Sequence, residues 1–218
     1  SAPPEGAPED LIAEIPDCRP IPDGPLRPDR ADSPADDGAV SGGMTLRSPS
    51  GPPDIAGFDI LSRLGRSGRG ASFLCRHRAS GRTTVVKVVR SSQQAKGGML
   101  GLLREALANL AGLRHEGLAS VLDYGVSDFG AAGWGFCLEM EYCAAGSVQR
   151  AAEEKGGRLP AHEVHDIIRG SLRGLAYAHA LNVVHGNIKP ANILLAADPA
   201  GGSAKVSDFA LRRILESV

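Results

Sequence analysis

The stretch Val183-Val184-His185-Gly186-Asn187-Ile188-Lys189-Pro190-Ala191-Asn192-Ile193-Leu194-Leu195 constrains this 218-residue chain more than any other. It enters and leaves through apolar residues, and between them runs a polar loop carrying His, Asn, Lys and a second Asn. A second short signal, Val206-Ser207-Asp208-Phe209-Ala210, follows. A polar loop between two short strands is a place to hold a polyphosphate and a metal ion, because a cation, amide oxygens and a carboxylate converge there. Asn187 stands where phosphoryl chemistry would want a carboxylate. An amide oxygen accepts a hydrogen bond but cannot take a proton.

Away from that loop the chain divides by composition. Residues 1–54 hold 12 of the 15 prolines, with Gly, Asp and Ser between them. They carry 11 acidic and 4 basic residues, whereas residues 55–218 carry 14 acidic and 20 basic. A stretch so poor in apolar side chains buries too little surface to offset its ordering entropy. A disordered, acidic, Pro-rich linker is therefore expected over 1–54, partly in polyproline II. Its charge keeps it solvated, or else masks the basic body that follows. Ser33-Pro34 and Ser48-Pro49 could take a phosphate, although such dipeptides are common in any tail of this composition.

Four cysteines (Cys18, Cys75, Cys137, Cys143) form no CxxC pair, which reads as reduced thiols in a cytoplasmic protein. His162 and His165 lie three apart with no cysteine to complete a tetrahedral set, so a solvated helix face is expected rather than a zinc site. No segment is apolar enough to span a bilayer, and no nucleic-acid partner is expected. The first residue is Ser, which suits a processed, tagged or partial chain.

From Phe58 the texture changes. Phe58 to Leu64 reads as a strand, runs into the Gly-rich turn Gly65-Arg66-Ser67-Gly68-Arg69-Gly70, and leaves through a second strand from Ser72 to His77. Glycines let backbone N–H groups approach phosphates, but between two strands they also make an ordinary hairpin turn. No Lys-Ser/Thr follows the last glycine and no helix comes next, which excludes a Walker loop and a dinucleotide fingerprint. Thr83 to Val89 is a β-branched strand with Lys87 in its middle, costly there unless paired or used. Met99, Leu103, Leu107 and Leu110 repeat at helical spacing, and Glu105 on that helix could pair with Lys87. Leu118 to Val126 and Gly133 to Glu141 read as two further strands. Ser147 then caps a short helix, and Val164, Ile167, Ile168, Leu172 and Leu175 mark a long one after Leu159-Pro160. Five strands with one helix, followed by helices, describe an α+β body in two lobes.

With these segments in this order, the sequence resembles the eukaryotic-type protein kinases, most nearly the bacterial Ser/Thr-type branch, over about residues 57–213. Leu64 to Gly70 is similar to the nucleotide-covering loop, Val85-Val86-Lys87 to the lysine strand, and Met140 to Cys143 to the adenine-binding hinge. His185 to Asn192 is similar to the catalytic loop, and Asp208-Phe209-Ala210 to the metal-binding motif. Lys189-Pro190 is the Ser/Thr-type form of that loop. The resemblance implies a bilobal fold. Its N-lobe would be complete (55–143, a five-stranded antiparallel sheet plus one helix), and only the first part of a helical C-lobe (144–218) would be present. It also implies ATP and Mg²⁺ as ligands. Gly65, Gly68 and Gly70 would cover the nucleotide, Lys87 would hold its α- and β-phosphates, and Glu105 would support Lys87. Glu141 and Cys143 would bond adenine through the backbone, and Leu194 would form the floor beneath it. Lys189 would neutralise the γ-phosphate, Asn192 and Asp208 would bind magnesium, and His185 and Phe209 would stack as packing.

Departures from the family pattern matter as much. Asn187 replaces the catalytic aspartate, Gly186 the arginine that reads a phosphorylated activation loop, and Ala210 a flexible glycine. Ser67 replaces the middle glycine of the phosphate loop, and Ser72 the valine above adenine. Counting back from His115 places the helix glutamate position at Ala106 rather than Glu105. Either the following loop has an extra residue or the Lys87–Glu105 pair is not made, and Leu110 in that register favours the second. The family's Ala-Pro-Glu motif and later helices do not appear before Val218, so apolar surface on the long helix is expected to lack a cover. The expected function is an ATP-binding, Ser/Thr-type kinase-like domain with impaired transfer, a pseudokinase acting through a protein partner. The alternatives are an active Ser/Thr kinase with an atypical loop, a small-molecule phosphotransferase of the aminoglycoside type, and a scaffold without nucleotide.

Overall fold

The computed structural model describes residues 43–51, 53–67, 70–196 and 204–209. The expected linker through residue 42, Gly68, Ala210 and the side chain of Ser67 lie outside the described residues.

Alternation builds the first lobe. In β3 (Thr83–Ser91), Val86 and Val88 point to one face, and Lys87 and Val89 to the other. β3 pairs antiparallel with β2 (Gly70–His77), and β2 with β1 (Phe58–Ser67). On its other side β3 pairs with β5 (Trp134–Glu141), and β5 with β4 (Val121–Asp128). The sheet order is β1-β2-β3-β5-β4, as the α+β expectation requires. Between β3 and β4 runs α1 (Met99–Ala111), which buries Met99, Leu103, Leu107 and Leu110. That stripe of three- and four-residue steps packs on Phe136, Leu138 and Met140 of the sheet's inner face.

The outer face has its own core of Phe58, Phe73, Val86, Val88 and Cys137, and it includes Met44, Leu46 and Ile55. Here the structure differs from the expected linker boundary at residue 54. Met44 and Leu46 are only 5% and 1% exposed. Two apolar side chains in a Pro/Gly-rich context have no period to reveal them, and their packing partners lie on distant strands.

The second lobe begins with α2 (Val148–Glu154), whose N-cap Ser147 accepts a hydrogen bond from the Arg150 N–H. α3 (Ala161–Ala180) follows, then the two-stranded ribbon β6 (Ile193–Leu195) and β7 (Ala204–Val206). α3 turns Ile167, Ser171, Gly174 and Ala178 inward and leaves Ile168 and Leu172 more than half exposed. The inward crossing is tight because two glycines meet: a Cβ on Gly174 would overlap the Gly117 carbonyl, and one on Gly117 would sit 2.7 Å from the Gly170 carbonyl. Gly174→Ala should therefore destabilise the fold by about 1–3 kcal/mol through overpacking. An unconstrained helix position would instead gain about 1 kcal/mol from the same change. Urea unfolding measures the sign, and a higher midpoint for the variant would contradict the crossing.

Candidate functional site

β3 and β7 bring together the two charges the sequence places 121 residues apart. Lys87 Nζ donates to Asp208 Oδ2 at 2.7 Å, with side chains 15% and 22% exposed. Each is held from behind: Lys87 by its strand, and Asp208 by a left-handed backbone (φ 62°) that few non-glycine residues adopt. A charged pair this poorly solvated depends on its partner, since losing either leaves an uncompensated charge.

The loop from His185 to Asn192 is fastened to the same point. His185 is 1% exposed and stacks edge-on against Phe209 with ring centroids 4.6 Å apart. Its Nε2–H donates to the Ser207 carbonyl at 2.7 Å, and its Nδ1 accepts from the Asn187 N–H at 3.0 Å. Those two bonds specify the neutral ring, and burial pushes its pKa down while the Ser207 carbonyl and Asp208 act weakly the other way. The Asn192 amide nitrogen donates to the Asn187 carbonyl at 2.9 Å, and the Asn192 carbonyl accepts from the Ser207 N–H. The Asn187 backbone is thus fixed at both ends, leaving its half-buried side chain beside the cleft. His185 packs and positions, as the resemblance implies.

A depressed folded-state pKa for His185 means the unfolded chain takes up its proton first as pH falls. The stability tied to the neutral ring is fully present above about pH 6.5 and is lost as pH drops from there through the folded-state value. His185→Phe should lower the unfolding temperature overall and flatten its fall between about pH 7 and 5.5. Equal slopes for variant and wild type would contradict the neutral buried ring.

At the hinge, the Glu141 carboxylate receives Lys205 Nζ on both oxygens at 2.9 Å and accepts the Ser120 N–H at 2.9 Å. The side chain is therefore committed to structure, and so is the backbone N–H, which donates to the Ser120 carbonyl at 3.0 Å. Lys205 was missed by the sequence reading. Its signal is a cation alternating with Ala204 and Val206 just before Asp208. Cys143 is buried and its carbonyl accepts the Gly146 N–H. Burial, with the Glu141 charge adding to it, pushes the Cys143 thiol up to about 11, so it is no nucleophile at neutral pH. Leu194 lies on β6, bridged to Ser147 beside the hinge exit.

The two described glycines of the phosphate loop differ. A Cβ at Gly65 would meet open space, whereas one at Gly70 would overlap the Val88 carbonyl. Gly70 is thus required for strand packing whatever it does for a ligand. Lys189 is exposed and, among the described residues, makes no ion pair. The expected support of Lys87 by Glu105 is not made. Glu105 is exposed on α1, while Ala106 turns toward the core in the register with buried Leu107 and Leu110. One residue rotates a helix position by about 100°, and Lys87 takes Asp208 instead.

Comparison with known proteins agrees with this arrangement. The family model described as protein kinase domain matches residues 58–218. The serine/threonine-protein kinase cst-1 of Caenorhabditis elegans is 31% identical over 159 residues, 72% of this chain and 29% of its own length. The serine/threonine-protein kinase PknA of Mycobacterium tuberculosis is 31% identical over 137 residues, 63% of this chain and 31% of its own. The serine/threonine-protein kinase pkn2 of Myxococcus xanthus is 26% identical over 159 residues, 73% of this chain and 18% of its own. The matched part of the chain therefore spans between 18% and 31% of the length of these relatives. Among the described residues no helix is long and apolar enough to cross a membrane.

Proposed function

Because this chain belongs to the protein kinase domain family, we propose that its cleft binds Mg-ATP between the hinge, β3 and the loop from His185 to Asn192, and that it transfers the γ-phosphate poorly. The observation that carries this reading is the division within one small site. Lys87 pairs with Asp208, and Asn192 is tied through its carbonyl to the neighbouring Ser207, residue types suited to phosphate and metal, while the proton-accepting position of the same loop is an amide.

The donor set suits magnesium. Hydrogen bonding of the Asn192 amide nitrogen to the Asn187 carbonyl assigns Oδ1 as the remaining acceptor, and the Asn192 carbonyl is tied to the N–H of Ser207, the neighbour of Asp208 in sequence. One carboxylate and one amide oxygen, completed by water and ligand phosphate oxygens, is a usual environment for Mg²⁺. No cluster of three His, Cys, Asp or Glu capable of holding a metal occurs among the described residues. Bound metal would supply charge neutralisation at the phosphates. This chain's residues would orient them. Lys87 and Asp208 now satisfy one another, and ligand entry would repartner the lysine with phosphate and the carboxylate with the ion. Exposed Lys189 would meet the γ-phosphate, while Glu141 and Cys143 would present backbone groups to the base.

Retention of Lys189, Asn192 and Asp208 also supports a second reading, a slow Ser/Thr kinase, since phosphoryl transfer is largely positional and electrostatic. In either case a protein partner or substrate would be engaged, and regulation through that partner is the role we favour. Thermal unfolding with and without Mg-ATP tests the binding. The melting temperature should rise with Mg-ATP and stay unmoved by it in Lys87→Ala. No shift in the wild type would favour a scaffold without nucleotide.

A further inference from the structure

The sheet's outer face, remote from the phosphate chemistry, has two missing side chains in neighbouring rows. β4 presents Asp123, Gly125 and Ser127 there, opposite Glu139, Cys137 and Gly135 of β5, and Gly135 is followed across β3 by Arg90. The two glycines leave a channel, and the described residues 43–51 and 53–56 pack over it. They form a short arch whose arms meet at an antiparallel bridge between Leu46 and Ile55. The Arg47 N–H donates to the Asp54 carbonyl at 2.9 Å, and the Ala56 N–H to the Thr45 carbonyl at 3.1 Å.

The fit is specific on both sides. A Cβ on Gly125 would overlap the Met44 carbonyl oxygen, and one on Gly135 would lie 3.0 Å from Leu46 Cδ2. Met44, Leu46 and Ile55 sink among Phe73, Val86, Val88 and Cys137. Side chains of the sheet meet the main chain of the arch. The Asp123 carboxylate accepts the Gly43 N–H at 3.4 Å, Ser127 Oγ accepts the Leu46 N–H at 3.2 Å, and Arg90 Nη1 donates to the Gly51 carbonyl at 2.7 Å. Arg90 Nε and Nη2 are buried without a partner, so the arch supplies the bond that this guanidinium makes. Gaps that admit main chain, polar side chains aimed at main-chain groups and sockets for apolar side chains are the attributes of peptide recognition.

We propose that the outer face of the sheet is a peptide-docking groove whose ligand is residues 43–56 of the same chain. It is held by the Asp123–Gly125–Ser127 row and by Arg90, and it is exchangeable for the same segment supplied in trans. Docked, the arch covers the back of the strand that carries Lys87. The inference is independent of whether the cleft binds a nucleotide.

The test uses the whole chain and a fluorescent peptide of residues 41–57. In wild type the amides of Leu46, Arg47 and Ala56 should exchange with deuterium at least ten-fold more slowly than in the free peptide, and the peptide should not bind because the groove is filled. Met44→Asp with Leu46→Asp should release the arch. The peptide should then bind saturably in fluorescence anisotropy, and adding Gly125→Val should abolish that binding. Peptide binding to neither protein, or equally to both, would overturn the proposal. If the double variant does not melt cooperatively, Leu46→Asp alone takes its place in the same titration, and wild-type exchange decides only whether the arch is docked. Protection at the three amides supports docking, and exchange at the free-peptide rate refutes it.

Discussion

Asn187→Asp should raise the rate of γ-phosphate transfer by about 10²–10⁴-fold, the usual worth of a positioned general base. That range corresponds to roughly 3–5 kcal/mol of activation free energy. The substitution is close to isosteric and the loop does not depend on the side chain it changes. The Asn187 N–H is held by His185 Nδ1 and its carbonyl by the Asn192 amide, so both backbone fastenings survive. A carboxylate there would add negative charge near Asp208, which Lys87 and bound magnesium would offset. Single-turnover transfer to a generic protein acceptor, wild type against variant at saturating Mg-ATP, reads the effect. A rate unchanged within a few-fold would mean that the amide is not what limits the chemistry.

Lys87→Ala should weaken Mg-ATP binding by about 10²-fold or more. Charge-assisted hydrogen bonds to phosphate contribute roughly 1.5–3 kcal/mol each, and the lysine is placed to make more than one. The variant also leaves the Asp208 carboxylate without its 2.7 Å partner in a site where that side chain is only 22% exposed. Part of the effect should therefore appear as lower stability of the unliganded protein. Glu105→Ala is the control. Its carboxylate is exposed on the outer side of α1, so affinity should stay within two- to three-fold. Calorimetric titration separates the two, and a large loss for Glu105→Ala would restore the pairing that the register of α1 denies.

Much of this was legible in the sequence. The β-branched run around Lys87, the 99-103-107-110 stripe, the Ser147 cap and the long helix after Pro160 each carry a local period or a capping signal, and each appears where that signal lies. The placing of Lys87 and Asp208 in one site followed from the resemblance, and the structure shows that pair in contact. What escaped depends on contacts between distant segments. Met44 and Leu46 are buried because Gly125 and Gly135 stand empty beneath them, and an absent side chain advertises nothing in sequence. The partnership of Glu141 with Lys205 spans 64 residues and has no spacing rule. The register of α1 rested on whether one residue belonged to the helix or to the loop after it. Buried Leu110 had favoured the register that the structure adopts.

On the proposed reading this loop holds Mg-ATP better than it uses it. The most direct test incubates the wild-type protein, in excess over γ-labelled Mg-ATP, with a protein acceptor and follows bound and transferred label in the same sample. Saturable binding that Lys87→Ala weakens by about 10²-fold or more is expected, with the label remaining on ATP over many minutes. Transfer of the label within seconds by the wild-type protein would contradict that reading.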